Sequence, residues 1–147
     1  MEKEKERCFG MTFYDKFKPD EYTIKDFENW IIVVRPKQIT LGDAVIILKN
    51  QVPSIGDAAG KDMAELPDVV SWYEGRCKEL FGAEKFNYIA AMMKDNFVHF
   101  HAIPRYSEEK EFAGIKWKDD FWPKPVSLVD AKTEKETLDA ILNAFCS

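Results

Sequence analysis

The chain has 147 residues, of which 46% are hydrophobic, 14% aromatic and 32% charged, with a formal net charge of −5. That is the composition of a globular domain with ample core material. It argues against broad nucleic-acid or membrane-surface binding, and no apolar run approaches the roughly 18–20 residues that span a bilayer. The N-terminal MEKEKER is charged and has no secretory-type apolar stretch. Cys8, Cys77 and Cys146 are far apart, odd in number and without a Cys-x-x-Cys pair, which predicts a reducing cytoplasm and no disulfide scaffold.

No repeat or low-complexity block divides the chain, so a single domain over 1–147 is expected. Glu21 to Pro36 reads as two strands with a turn near Glu28–Asn29, the second being the apolar run Trp30–Val34 that Pro36 stops. Ala44–Leu48 is the next strand, and Gln51 to Gly60, with Pro53, Gly56 and Gly60, is a loop. Leu66, Val69, Val70, Tyr73, Cys77 and Leu80 recur at helical spacing. Pro67 suits only a first turn, so the regular helix is expected to begin or kink there, and Gly82 to end it. Cys77 falls on the apolar face as a small buried hydrophobe.

Two more strands follow, Phe86–Met93 and Phe97–Tyr106, with Lys94-Asp95-Asn96 as a tight turn. Tyr106 to Pro125 reads as irregular and aromatic, with Trp117, Phe121 and Trp122 as a wrap over the core or a stacking surface. A last helix over about 133–145 starts on a Thr133/Glu136 capping box and buries Leu138, Ile141, Leu142 and Phe145. Short connections cannot make parallel pairs, so the fold class is α+β: an antiparallel sheet of about five strands, one main helix and a C-terminal helix.

The only two histidines are His99 and His101. On a strand, Phe97, His99, His101 and Ile103 share one face, roughly 7 Å apart stepwise, while Val98, Phe100, Ala102 and Pro104 share the other. Paired imidazoles serve a metal site, which needs further ligands from carboxylates or cysteines. They also serve a nucleophilic site, in which one neutral ring attacks and the other orients groups and shares protons. A hydrogen-bonded structural pair without chemistry is the third reading.

The stretch Asn87 to Tyr106, with Phe97-Val98-His99-Phe100-His101-Ala102-Ile103-Pro104-Arg105-Tyr106 at its end, resembles the close of the histidine-triad (HIT) domain. Arg35-Pro36-Lys37-Gln38-Ile39-Thr40-Leu41-Gly42 resembles a bacterial hydrolase subgroup of that superfamily, and the likeness runs from about Tyr22 to Pro125. The resemblance implies a half-barrel sheet that binds nucleotides or nucleotide conjugates, commonly as a homodimer whose sheets join. It implies a nucleotide hydrolase or nucleotidyl transferase acting through a nucleotidyl-histidine intermediate without a metal or other cofactor. His99 then matches the attacking histidine and His101 the third one of His-φ-His-φ-His, which hydrogen-bonds phosphate oxygens.

The sequence departs from that pattern in several places. Phe97 stands at the first histidine, so the tautomer of His99 must be fixed by another group, such as a backbone carbonyl. Asp43 stands where many members carry an additional histidine; it orients His99 as a base partner, repels a phosphate, or is a solvated strand-start residue. The short turn leaves Asn96 and Lys94 as a donor and a charge near phosphate, or as ordinary turn residues. Arg35 and Gln38 are expected nucleotide contacts or structural residues, and Arg105 reaches either a phosphate or an acid of the segment after it. A nucleotide-binding module with weakened catalysis is the alternative function, and a histidine metal protein the third.

Overall fold

The computed structural model describes residues 19–147; the charged N-terminal stretch and Cys8 lie outside the described residues. A short helix α1 (Pro19–Tyr22) leads into β1 (Thr23–Asp26), β2 (Trp30–Val34) and β3 (Ala44–Leu48). After a single 3-10 turn at Ile55–Asp57 come α2 (Gly60–Phe81), β4 (Lys85–Ile89) and β5 (His99–Arg105). A small hairpin, β6 (Lys110–Phe112) and β7 (Ile115–Trp117), and the C-terminal α3 (Lys135–Cys146) complete the order. Five strands form one sheet in the order β1-β2-β3-β5-β4, with every pair antiparallel. The expected α+β class and sheet size hold.

β2 and β3 are continuous apolar runs because they are central and buried at every residue. Register assigns the faces. Ile46 pairs with Phe100 and Ala44 with Ala102, while Phe86 pairs with Pro104, so even-numbered residues point together. α2 covers that face: Trp30 Nε1 donates to the Asp62 carbonyl at 2.7 Å and the Tyr73 ring meets Phe86 edge-on at 6.0 Å. The Tyr73 hydroxyl donates to the Gly42 carbonyl at 2.6 Å, tying α2 to the β2–β3 connection. α3 packs on the same side, where Phe145 stacks on Tyr73 and meets Phe81 edge-on. Arg76 donates to the Ala144 and Phe145 carbonyls at its C-terminus, satisfying acceptors that a helix end leaves open.

Two glycines are required by backbone geometry. Gly82 caps α2 in the left-handed region at φ 72°. Gly42 sits at φ 94°, and a Cβ there would lie 3.2 Å from the Phe81 ring.

Four expectations need correction. α2 starts at Gly60 rather than Pro67; the Asp62 carboxylate accepts the Ala59 N–H and Trp30 anchors the first turns, while Pro67 faces solvent. The Thr133/Glu136 capping box does not form, because Thr133 Oγ1 accepts the Gln38 N–H at 3.1 Å and Glu134 takes the cap position. The Tyr106–Pro125 segment contains an ordered hairpin, turning through Ala113 and Gly114 at positive φ, the signature of a two-residue I′ turn. Finally, β4 and β5 are joined by residues 90–98 rather than by a tight turn at Lys94–Asn96. Val98 N–H donates to the Val52 carbonyl and Leu48 N–H to the Val98 carbonyl, so the start of β5 is held by the chain leaving β3 instead of by β4.

Candidate functional site

The other sheet face carries the odd-numbered residues. Ile47 pairs with His99 and Val45 with His101; across β5, Ile89 pairs with His101, Asn87 with Ile103 and Lys85 with Arg105. Opposed residues in an antiparallel pair point to one side, so both imidazoles stand over a floor of buried Val45, Ile47 and Ile103. The expected alternation along β5 is therefore met.

His99 is buried and His101 half-buried, with ring centroids 5.3 Å apart and planes at 76°. The Phe97 ring lies 5.2 Å from His99 on its other side. His99 Nδ1 is 2.8 Å from the Phe97 carbonyl oxygen. A carbonyl only accepts, so the proton of neutral His99 belongs on Nδ1 and the lone pair on Nε2. Phe97, whose side chain brings no polar group to His99, thus supplies an orienting acceptor from its backbone. Among the described residues no three His, Cys, Asp or Glu side chains come together as a metal cluster.

Arg35, Gln38 and Asp43 come together, but around each other. Gln38 Nε2 donates to the Arg35 and Asp43 carbonyls at 2.6 Å each, and its Oε1 accepts the Gly42 N–H at 2.9 Å. The whole amide is consumed in bracing the β2–β3 connection. Arg35 Nη1 donates to the Lys37 carbonyl at 2.6 Å and to Asp43 Oδ2 at 3.3 Å. Asp43 Oδ2 also takes the Ile39 N–H at 3.0 Å, while Asp43 Oδ1 is buried without a hydrogen-bond partner among the described residues. The Asp43 side chain is 0% exposed, so the solvated reading fails. Burial pushes its carboxyl up to about 7, against the opposing pull of Arg35 and the Ile39 N–H. Asn96 and Lys94 are exposed in the connection before β5.

Arg105 reaches an acid of the following segment. Its Nε and Nη2 grip both oxygens of Asp119 at 2.6 and 3.1 Å, with side chains 4% and 0% exposed. Asp119 also accepts the N–H groups of Tyr106 and Phe121. Arg105 Nη1 donates to Asn87 Oδ1 at 2.6 Å, which takes the Val126 N–H as well. Further on, Asp130 meets Lys37 at 3.0 Å and Thr133 meets Gln38, so residues 126–133 run from the β4 edge to the β2–β3 connection. Neither Asn87 nor Asp119 carries a motif of its own in the sequence; the signal for Asn87 is its odd register in β4 opposite Ile103. Cys77 is buried as expected and burial pushes its thiol up to about 12, leaving it unreactive.

No family model and no curated protein matches the chain. Solved structures do. A hypothetical histidine triad nucleotide-binding protein from Sulfolobus tokodaii superposes with a TM-score of 0.69 at 17% identity, covering 92% of this chain and 89% of that one. A histidine triad protein from Sinorhizobium meliloti gives 0.67 at 16% identity, covering 87% and 90%. A Zn-bound histidine triad family protein from Mycobacterium smegmatis gives 0.62 at 16% identity, covering 94% of both. The expected histidine-triad fold is thereby shown over most of the chain.

Proposed function

We propose that this chain, which has the histidine-triad fold, is a nucleotide hydrolase or nucleotidyl transferase that works through a covalent intermediate on His99. The observation that supports it best is the Nδ1 contact with the Phe97 carbonyl, which puts the lone pair of the neutral ring on Nε2, where it can act as a nucleophile. In the first step Nε2 forms a bond to the α-phosphorus while the P–O bond to the leaving group breaks, and that oxygen departs with the electron pair. His101, beside His99 on the same face, hydrogen-bonds the phosphoryl oxygens and hands a proton to the leaving oxygen. In the second step water, or a phosphate acceptor, attacks phosphorus, the P–N pair returns to Nε2, and the proton that the attacking oxygen sheds goes to His101, replacing the one it gave up. The reading includes a nucleotide or nucleotide conjugate as the ligand, a homodimer as the assembly and the cytoplasm as the compartment.

Phe97 favours a second reading, a nucleotide-binding module with weakened catalysis, because its ring puts no donor or acceptor beside His99. His99→Ala separates the two. The enzyme reading expects loss of nucleoside monophosphate release from a dinucleoside polyphosphate, with the circular dichroism spectrum retained. Full release by the variant removes the nucleophile assignment.

A further inference from the structure

The histidine-bearing face continues past His101 into a cavity of about 200 Å³ lined by Lys85, Asn87, Arg105, Trp122, Lys124 and the prolines beside Trp122 and Lys124. Lys85 and Asn87 reach it from β4 because they pair with Arg105 and Ile103, the odd-numbered positions that follow His101. From His101 to Arg105 is four residues of strand, roughly 13 Å.

The chemistry of the lining is one-sided. Every charged side chain that lines it is cationic, in a chain whose net charge is −5. Arg105 is neutralised by Asp119, but neither Lys85 nor Lys124 has an ion-pair partner among the described residues. The Asn87 Oδ1 is taken by Arg105 and the Val126 N–H, so the amide group it has left is the Nδ2 donor. Among the described residues the lining therefore offers two ammonium groups outside any ion pair and an amide N–H beside an indole ring; the nearby Glu84 carboxylate acts on Lys85 electrostatically but is not part of the lining. Its volume is below the roughly 300–1,000 Å³ of pockets that enclose a whole drug-sized ligand, so it suits the end of a molecule.

We propose that this cavity is an oxyanion subsite, separate from the His99–His101 pair, which takes a phosphate-type group. The group comes either from the far end of a polyphosphate ligand that also reaches His99 or from a free ion. The inference goes beyond the nucleotide reading and does not depend on it.

The test is equilibrium binding of three probes by calorimetry: AMP, inorganic pyrophosphate and a methylene-bridged dinucleoside tetraphosphate. They are measured on wild type, Lys85→Ala/Lys124→Ala and Lys85→Arg/Lys124→Arg. Both lysines are exposed, so neither exchange removes core packing, and thermal melting verifies the fold. The double alanine variant should bind pyrophosphate or the tetraphosphate at least tenfold more weakly, with AMP within twofold of wild type and the arginine pair restoring affinity. Loss for the tetraphosphate alone assigns the site to a linked phosphate, and loss for pyrophosphate alone to a free ion. Unchanged affinity for both, no measurable binding of either by wild type, or an equal loss for AMP overturns the subsite. Pyrophosphate binding that the double alanine variant weakens, with neither AMP nor the tetraphosphate bound by wild type, keeps the subsite and removes the nucleotide reading.

Discussion

Replacing Asp43 with asparagine probes the buried end of the β2–β3 connection. Its carboxyl has no exposed surface, and among the described residues only one of its oxygens is hydrogen-bonded. Burial raises the carboxyl from its ordinary 3.8 to about 7, although Arg35 and the Ile39 N–H pull the other way. A folded-state value above the unfolded one means that the folded chain binds the proton more tightly. The contribution is fully present below about pH 4 and is lost as the pH rises through about 7. At 1.36 kcal/mol per pKa unit, the loss comes to roughly 4 kcal/mol. Asparagine has no proton to lose, so Asp43→Asn should gain on wild type by several kcal/mol between about pH 4 and pH 8. Urea unfolding at fixed ionic strength measures this as a gap between midpoints that widens with pH at constant slope. A gap that stays constant would show that Arg35 and Ile39 offset burial completely, and the reasoning would fail.

Two further perturbations test how the face is built. Asp119→Ala strands the buried Arg105 charge and the N–H groups of Tyr106 and Phe121, and should cost about 3–5 kcal/mol in urea unfolding; a cost under about 1 kcal/mol would mean that the pair is solvated. Gly42→Ala combines a φ of 94° with a Cβ 3.2 Å from the Phe81 ring, and should destabilise by about 1–3 kcal/mol in the same assay, whereas a neutral result would show that the connection relaxes freely.

The sheet was readable because its evidence is local. Trp30–Val34 and Ala44–Leu48 are uninterrupted apolar runs between breakers, and the alternation through His99, His101 and Ile103 needs only the period of a strand, although β5 begins at His99 and leaves Phe97 in the connection before it. Gly82 ends α2 for an equally local reason. What stayed hidden depends on partners far along the chain. Thr133 reads as a helix cap until the N–H of Gln38, 95 residues earlier in the chain, takes its hydroxyl. Lys94–Asn96 reads as a hairpin turn until Val52 captures the start of β5. The site follows the same division. The placing of His99 and His101 on one face came from spacing, but the inward-turned network of Arg35, Gln38 and Asp43 came from a fold of the β2–β3 connection that no periodicity encodes. Asn87 and the cationic cavity needed the β4–β5 register, which pairs residues from two separate strands.

The central claim is that His99 becomes covalently nucleotidylated. The most direct measurement incubates the protein with dinucleoside polyphosphates and nucleoside phosphoramidates radiolabelled at the α-phosphorus, quenches without acid and follows label on the protein. Wild type should take up label that water or added phosphate discharges, and His99→Ala should take up none. Label that persists on His99→Ala, or product formed at full rate by that variant, would contradict it.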